Sequence, residues 1–350
     1  MTQNSTTSFK GQIIFIGIDV HKSNWVVTER HAHLDLKTYS GLKTPKELVE
    51  RLHRLYPDAV YKSVYEAGFC GFWIHEELKL LGVDNIVINA SDVPTSEKER
   101  IHKNDVRDSR KLARELENGS LSPLYIPCKD HLELRDLVRR ETQLVRNLTR
   151  ADHRLRSYFA RYGLSIPSGK ISGFMLKMLR QKSREIPDYT LQSLVEEIVS
   201  LRQNKLEVIN GERQLLTRQQ RRDLQGNLMS LPGVGFRTAI VIQSELWDIH
   251  RFPDPAHLLG YCGFSPRLIG SGDGEKMRGN GKRKNGLLHS MMIESAWVAI
   301  GKDMELRIKY GQLSARLGAS RAISVIAKKL LLRAQSVWLR GSRYQRKEIA

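Results

Sequence analysis

The chain has only three cysteines in 350 residues, Cys70, Cys128 and Cys262, which excludes a disulfide framework. They lie too far apart in sequence for paired zinc ligands, and no histidine cluster offers another metal motif. Isolated thiols fit a reducing compartment, and residues Met1–Thr7 lack the charged-then-apolar order of a secretion signal, so a cytoplasmic protein is expected. No apolar run is long enough to span a bilayer, so no membrane partner is expected. Internal repeats and low-complexity tracts are also missing. Acidic residues are the scarce charge: 38 Asp and Glu stand against 57 Lys and Arg, a formal charge of +19. Such a surface attracts polyanions through counterion release and long-range steering, without by itself naming one. The length is sufficient for two or three domains with their own cores.

Four of the scarce acids sit at informative places. The run Ile13-Ile14-Phe15-Ile16-Gly17-Ile18-Asp19 reads as a buried strand with a carboxylate at its C-terminal tip. A second strand, Ala59 to Glu66, also ends in an acid. Asp105 and Asp108 stand three residues apart on a helical pattern, which puts both on one face. Like charges so placed destabilise a helix unless a cation lies between them. Carboxylate oxygens are hard ligands suited to Mg²⁺, and two such ions roughly 3.5–4 Å apart promote phosphoryl transfer. The element order supports this chemistry. Strands at 24–28 and 35–39 follow the first, then a helix from about Thr44 to Leu55 with Pro45 at its first position, the Glu66 strand, a helix at 71–81, a strand at 85–88 and the Asp105 helix. Three meandering strands followed by alternating helices and strands is the order of an RNase H-like nuclease domain, expected over residues 10–127.

Beyond Cys128 strand signals vanish. Apolar residues from Leu134 to Phe159 recur at three- and four-residue steps, predicting a long amphipathic helix over His131–Tyr162. After a break at Gly163–Gly169, a second helix is expected over Leu191–Arg218. The two suggest an antiparallel coiled-coil hairpin in a middle region at 128–222, with a plain helical bundle equally compatible. Arg135, Arg139, Arg140, Arg146, Arg150, Arg154 and Arg156 crowd the first of these helices, which suggests phosphate contact. The last region, 223–340, opens with Leu231-Pro232-Gly233-Val234-Gly235-Phe236-Arg237, a turn before an apolar helix. In helix–hairpin–helix modules such glycines present backbone N–H groups to phosphate, although a tight interhelical turn has the same sequence. The stretch from Gly260 to Gly286, rich in glycine and carrying Lys276, Arg278, Lys282, Arg283 and Lys284, reads as a flexible loop that orders on a charged partner. A helix follows over Leu287–Ile300 with Trp297 on its apolar side.

Several of these segments together resemble a known family. Gly17-Ile18-Asp19-Val20-His21-Lys22, Tyr65-Glu66-Ala67, Asn104-Asp105-Val106-Arg107-Asp108-Ser109, Leu231-Pro232-Gly233-Val234-Gly235, Phe252-Pro253, Gly260-Tyr261-Cys262-Gly263-Phe264-Ser265-Pro266-Arg267 and Ser271-Gly272 occur in the order found in DEDD-type transposases of the insertion sequence 110 and 1111 group, described as bridge-RNA-guided serine recombinases. The resemblance spans most of the chain. It implies a RuvC-like N-terminal domain whose metal-holding acids are Asp19, Glu66, Asp105 and Asp108, a coiled-coil middle, and a mainly helical C-terminal transposase domain bearing a nucleophilic serine. Ser271 matches that serine, with Ser265 and Ser290 as the competing positions. His21 and Lys22 match the first motif and are assigned no chemistry.

By that resemblance the expected activity is strand cleavage and exchange on element-end and target DNA in a bacterial cytoplasm or nucleoid. The serine links covalently to DNA, two Mg²⁺ ions assist, a non-coding guide RNA pairs with donor and target, and the protein works as a homodimer or homotetramer. The glycines 233 and 235, Arg237 and the five cations from Lys276 to Lys284 are the expected nucleic-acid contacts. A RuvC-like junction resolvase or endonuclease using metal-activated water is the alternative enzyme. A non-catalytic nucleic-acid-binding protein is the third reading, disfavoured because four acids beside phosphates weaken a pure binder.

Overall fold

A computed structural model describes residues 9–94, 105–185, 188–217, 219–269, 276–280 and 284–345. The chain divides into two compact units, Met1–Ile126 and Pro127–Ala350.

The first unit is a five-stranded sheet with helices on both faces. Strands β1 (Ile13–Val20), β2 (Trp25–His31) and β3 (Leu34–Leu42) form an antiparallel meander, and β4 (Val60–Glu66) and β5 (Asp84–Ile88) add parallel to β1, in the order β3-β2-β1-β4-β5. Helices α1 (Pro45–Leu55) and α2 (Trp73–Leu80) interleave with the strands, and α3 (Asp105–Glu117) follows. Thr44 caps α1 by accepting from the Glu47 N–H, and Pro45 takes the first turn, where its missing N–H costs nothing. This mixed α/β topology is consistent with the RNase H-like arrangement expected from the element order.

Side-chain alternation decides what each face of the sheet does. Ile14, Ile16 and Ile18 are fully buried in a cluster with Leu48, Leu52, Ile74 and Leu78 from α1 and α2. The opposite face receives α3, where Leu112 packs with Val64, Ile88 and Val93. Gly17 lies on that second face, and a Cβ there would come within 2.1 Å of the Ser109 carbonyl oxygen. Only glycine lets β1 and α3 approach so closely. The contact is pinned by a buried 2.8 Å hydrogen bond between the Thr28 and Ser109 hydroxyls.

The second unit is helical. Long helices α4 (Lys129–Arg161) and α6 (Tyr189–Leu215) pack along each other around Ala151, Leu155, Val195 and Ile198. A helix α5 (Gly173–Glu185) lies between them in sequence, where the pattern gave no helix. The larger core gathers α7 (Gln219–Met229), α8 (Phe236–Leu246), α9 (Pro255–Tyr261), α10 (Gly286–Lys302), α11 (Met304–Leu317) and α12 (Ala319–Arg340). Two expectations need correction. The stretch read as a loop contains strands β6 (Pro266–Ile269) and β7 (Lys276–Asn280), which pair antiparallel with Leu268 opposite Met277. Pairing satisfies backbone groups that an open loop leaves to water, and the signal was faint because each run is only four or five residues long. Trp297 is also not a core residue: α10 buries Leu288, Met292, Ala296 and Ala299, while Trp297 is 45% exposed against Tyr310. Among the described residues no helix is long and apolar enough to cross a membrane.

Candidate active site

Strand parity and helix placement bring the N-terminal acids toward one another. Asp19 and Glu66 each follow by two residues a position that faces α3, Gly17 and Val64 respectively, so both project from that face. The parallel register pairs Ile18 with Tyr65, which sets the two acids at the same height at adjoining strand ends. Asp105 and Asp108 occupy the first turn of α3, the helix covering that face. Carboxylates are favoured at a helix N-terminus because its N–H groups carry partial positive charge.

The closest meeting is between Asp19, His21 and Asp105. His21 Nε2 is 3.1 Å from Asp19 Oδ2 and 3.3 Å from Asp105 Oδ2. When Nε2 carries the ring proton it donates to these carboxylate oxygens, and when Nδ1 carries it the Nε2 lone pair is free to ligate a cation. One ligand atom from each of the three residues lies within 4.8 Å of the others. Burial pushes the Asp19 carboxyl above its usual range; His21 opposes this, and the charges of Asp105 and Asp108 add to it. A set of hard oxygens and one imidazole nitrogen, gathered at this spacing, fits one divalent cation, whose ligands at about 2.1 Å stand roughly 3–4 Å apart. Glu66 is exposed at its strand end. Asp108 opens onto a cleft of about 330 Å³ otherwise lined by Arg30, Asp35, Arg107, Arg110, Lys111 and Arg114. His21 is the residue that sequence reasoning left without a role. Its position two residues beyond a strand-end acid was the available signal, and it is a weak one.

The residues matched in the second unit fall in three settings. Ser271, Lys282 and Arg283 lie outside the described residues, as do the side chains of Lys276 and Arg278, whose backbone forms β7. Gly233 has a positive φ of 79° and lies against α10, where a Cβ would come within 2.2 Å of the Ser295 carbonyl oxygen. Gly235 caps α8 with open space around it. The Arg237 guanidinium is held by Glu141, by Glu212 at 3.2 Å, by the Val138 carbonyl at 2.8 Å and by the Thr142 hydroxyl at 2.7 Å. Lys284 is exposed and, with Arg139, Arg146 and Asn285, lines a cleft of about 640 Å³ at the start of α10. Of the competing serines, Ser265 is half-buried and Ser290 exposed.

A buried network not foreseen from sequence holds the stems of the glycine-rich segment. Glu245, fully buried on α8, accepts from Arg139 at 2.8 and 2.9 Å and from the Asn285 side-chain amide at 2.6 Å. The Asn285 amide also donates to the Tyr261 hydroxyl at 3.1 Å, and that hydroxyl donates to the Glu245 carbonyl at 3.2 Å. Tyr261 ends α9 at the start of the segment, and Asn285 stands at its close as the N-cap of α10.

Comparison with known proteins gives this arrangement a family. Residues 16–163 match the DEDD transposase model of the IS110 type, and residues 225–311 match the model described as Transposase IS116/IS110/IS902 family. A Sinorhizobium fredii protein, y4qE, provisionally described as a transposase, is 27% identical over 316 residues, covering 86% of this chain and 77% of the relative. The transposase for insertion sequence element IS1533 of Leptospira borgpetersenii is 24% identical over 249 residues, 67% of this chain and 70% of its own. The transposase for IS1111A of Coxiella burnetii is 24% identical over 238 residues, 65% of this chain and 64% of its own. The first model takes in all four acids, the second takes in the glycine-rich segment with its serine, and they follow in chain order: this protein is a DNA transposase belonging to the IS110 family.

Proposed function

We propose that this transposase cleaves and exchanges DNA strands at a divalent-metal site held by Asp19, Glu66, Asp105 and Asp108, with Ser271 as nucleophile. The observation that carries the reading is the meeting of Asp19 and Asp105 from a strand end and a helix start distant in sequence, with Glu66 level with Asp19 on the neighbouring strand. Magnesium fits the hard oxygen donors, and two ions, when bound, would supply Lewis-acid stabilisation of charge on a phosphate. The four carboxylates hold and orient. The Ser271 hydroxyl attacks the phosphorus, so that an Oγ–P bond forms as a P–O bond to deoxyribose breaks. The serine gives up its proton and the leaving oxygen takes one.

The remaining parts of the reading concern the partners. Arg140, Arg146 and Arg150 are exposed on α4 and make no ion pair among the described residues, which suits phosphate contact; Arg139, Arg154 and Arg156 are already committed to Glu245, Glu197 and Asp152. Gly235, at a helix start without a side-chain cap, and the cations of the sequence from Lys276 to Lys284 extend the nucleic-acid contacts. The pairing of α4 with α6 serves as a coiled-coil hairpin through which copies of the chain associate as a dimer or tetramer. A non-coding guide RNA supplies sequence choice, which fits a protein whose charge excess gives binding without sequence preference.

The test is a denaturing gel for a covalent protein–DNA adduct, with element-end DNA, flanking RNA and Mg²⁺. Wild type should give an adduct that Ser271→Ala and Asp105→Asn both abolish. Cleavage without adduct that survives Ser271→Ala would instead assign the acids to a water-using nuclease.

A further inference from the structure

The first unit carries a second feature beside the acids. Phe69 and Trp73 follow Glu66 by three and seven residues and are 63% and 46% exposed. Single exposed hydrophobics are ordinary. These two share a cleft of about 360 Å³ with His21, Lys22, Trp25 and Lys43, and no carboxylate lines it. The volume falls in the range of small-ligand pockets, about 300–1,000 Å³. Trp73 is backed by the buried Trp25, their ring centroids 6.5 Å apart, which limits where the exposed indole can sit. Lys22 Nζ lies 6.0 Å from the Phe69 ring centroid, and neither Lys22 nor Lys43 makes an ion pair among the described residues. His21 belongs both to this cleft and to the group with Asp19 and Asp105.

We propose that Phe69 and Trp73 form a stacking platform for an unpaired base of the DNA strand whose phosphate lies at the acids. Aromatic faces accept any base, and lysines beside them meet the backbone; together they make the usual chemistry of single-strand binding. A duplex base pair offers neither face, because both are stacked within the helix. Continuity through His21 makes the occupant the strand being cut. Only that last step rests on the metal-site reading, since the platform itself stands on the exposed rings and lysines.

The experiment is photo-crosslinking of a short oligothymidylate carrying 5-iododeoxyuridine to the full-length protein without added metal, with peptide mapping. Affinities for the same strand and for a duplex of equal length are measured alongside. Crosslinks should map to Phe69 or Trp73. The double variant Phe69→Ala/Trp73→Ala should lose about tenfold in single-strand affinity for each stacked base while duplex affinity holds. Trp73→Phe should keep most of the binding, and thermal denaturation checks that each variant is folded. Persistence of the crosslink in Asp19→Asn supports the platform even if the metal reading fails. Crosslinks confined to the second unit, equal losses for strand and duplex, or preferential crosslinking of an oligouridylate RNA would each overturn the proposal.

Discussion

At the scale of single residues, the site depends on an atom that is missing. Gly17 has no Cβ, and this lets α3 press onto β1 so that Asp105 reaches the neighbourhood of Asp19. Gly17→Ala should therefore force the helix outward, costing about 1–3 kcal/mol as overpacking does, and weaken Mn²⁺ binding measured by paramagnetic resonance. A variant that lost stability yet bound Mn²⁺ as wild type does would separate the packing from the site. The placement of Asp19 at the end of a buried strand was legible in the sequence from the β-branched run before it, whereas an acid at a strand end is ordinary by itself and only the pattern of four suggested a site. His21 was not, because a polar residue just past a strand is as often structural as functional, and only its contacts with two carboxylates distinguish it.

Among elements, those with strong periodicity were legible and those held together by pairing were not. The meander, the interleaved helices and the two long helices of the second unit all have apolar spacing that fixes their type. Strands β6 and β7 lie in a stretch dominated by glycine and charge, where short-range pattern carries little information. The Glu245 network is invisible for a different reason: nothing in the residues around 245 says that an arginine more than a hundred positions earlier will meet that acid. This network ties Arg139, Tyr261 and Asn285, so it fixes both stems of the segment bearing Ser271. Glu245→Gln keeps the shape and removes the charge. Because Arg139 is half exposed, the stability cost should be modest, about 1–2 kcal/mol. Adduct formation should slow markedly at unchanged DNA affinity, a pairing that a gel time course and a binding isotherm resolve. Affinity and rate falling together would mark the network as structural only.

Over the whole molecule, the basic excess was the plainest message of the sequence, but where charge is neutralised internally was not. Glu141 and Glu212 approach the single guanidinium of Arg237, with Lys205 3.7 Å from Glu141. Burial, reinforced by Glu141, pushes the Glu212 carboxyl up to about 7 from an ordinary 4.5. Its folded value exceeds its unfolded one, so its contribution is fully present below about pH 4.5 and is lost as pH rises through about 7. The span corresponds to something on the order of 3 kcal/mol. Glu212→Gln should raise the melting temperature above about pH 7 and leave it nearly unchanged below about pH 4.5, as followed by circular dichroism across pH. A variant less stable at every pH would show that the ionised pair stabilises the fold.

The ladder between β1 and β4 also constrains how such a gene can change length. Ile18 opposite Tyr65 fixes the level of both strand-end acids, and alternation fixes their face. Removing one codon from those for residues 13–18 would turn Asp19 onto the isoleucine side. Removing two would restore the face but shift the acid by about 6–7 Å along the strand. Length variation in descendants of this element should accordingly collect in connections away from the acids, such as 32–33, while β1 and β4 stay the same length.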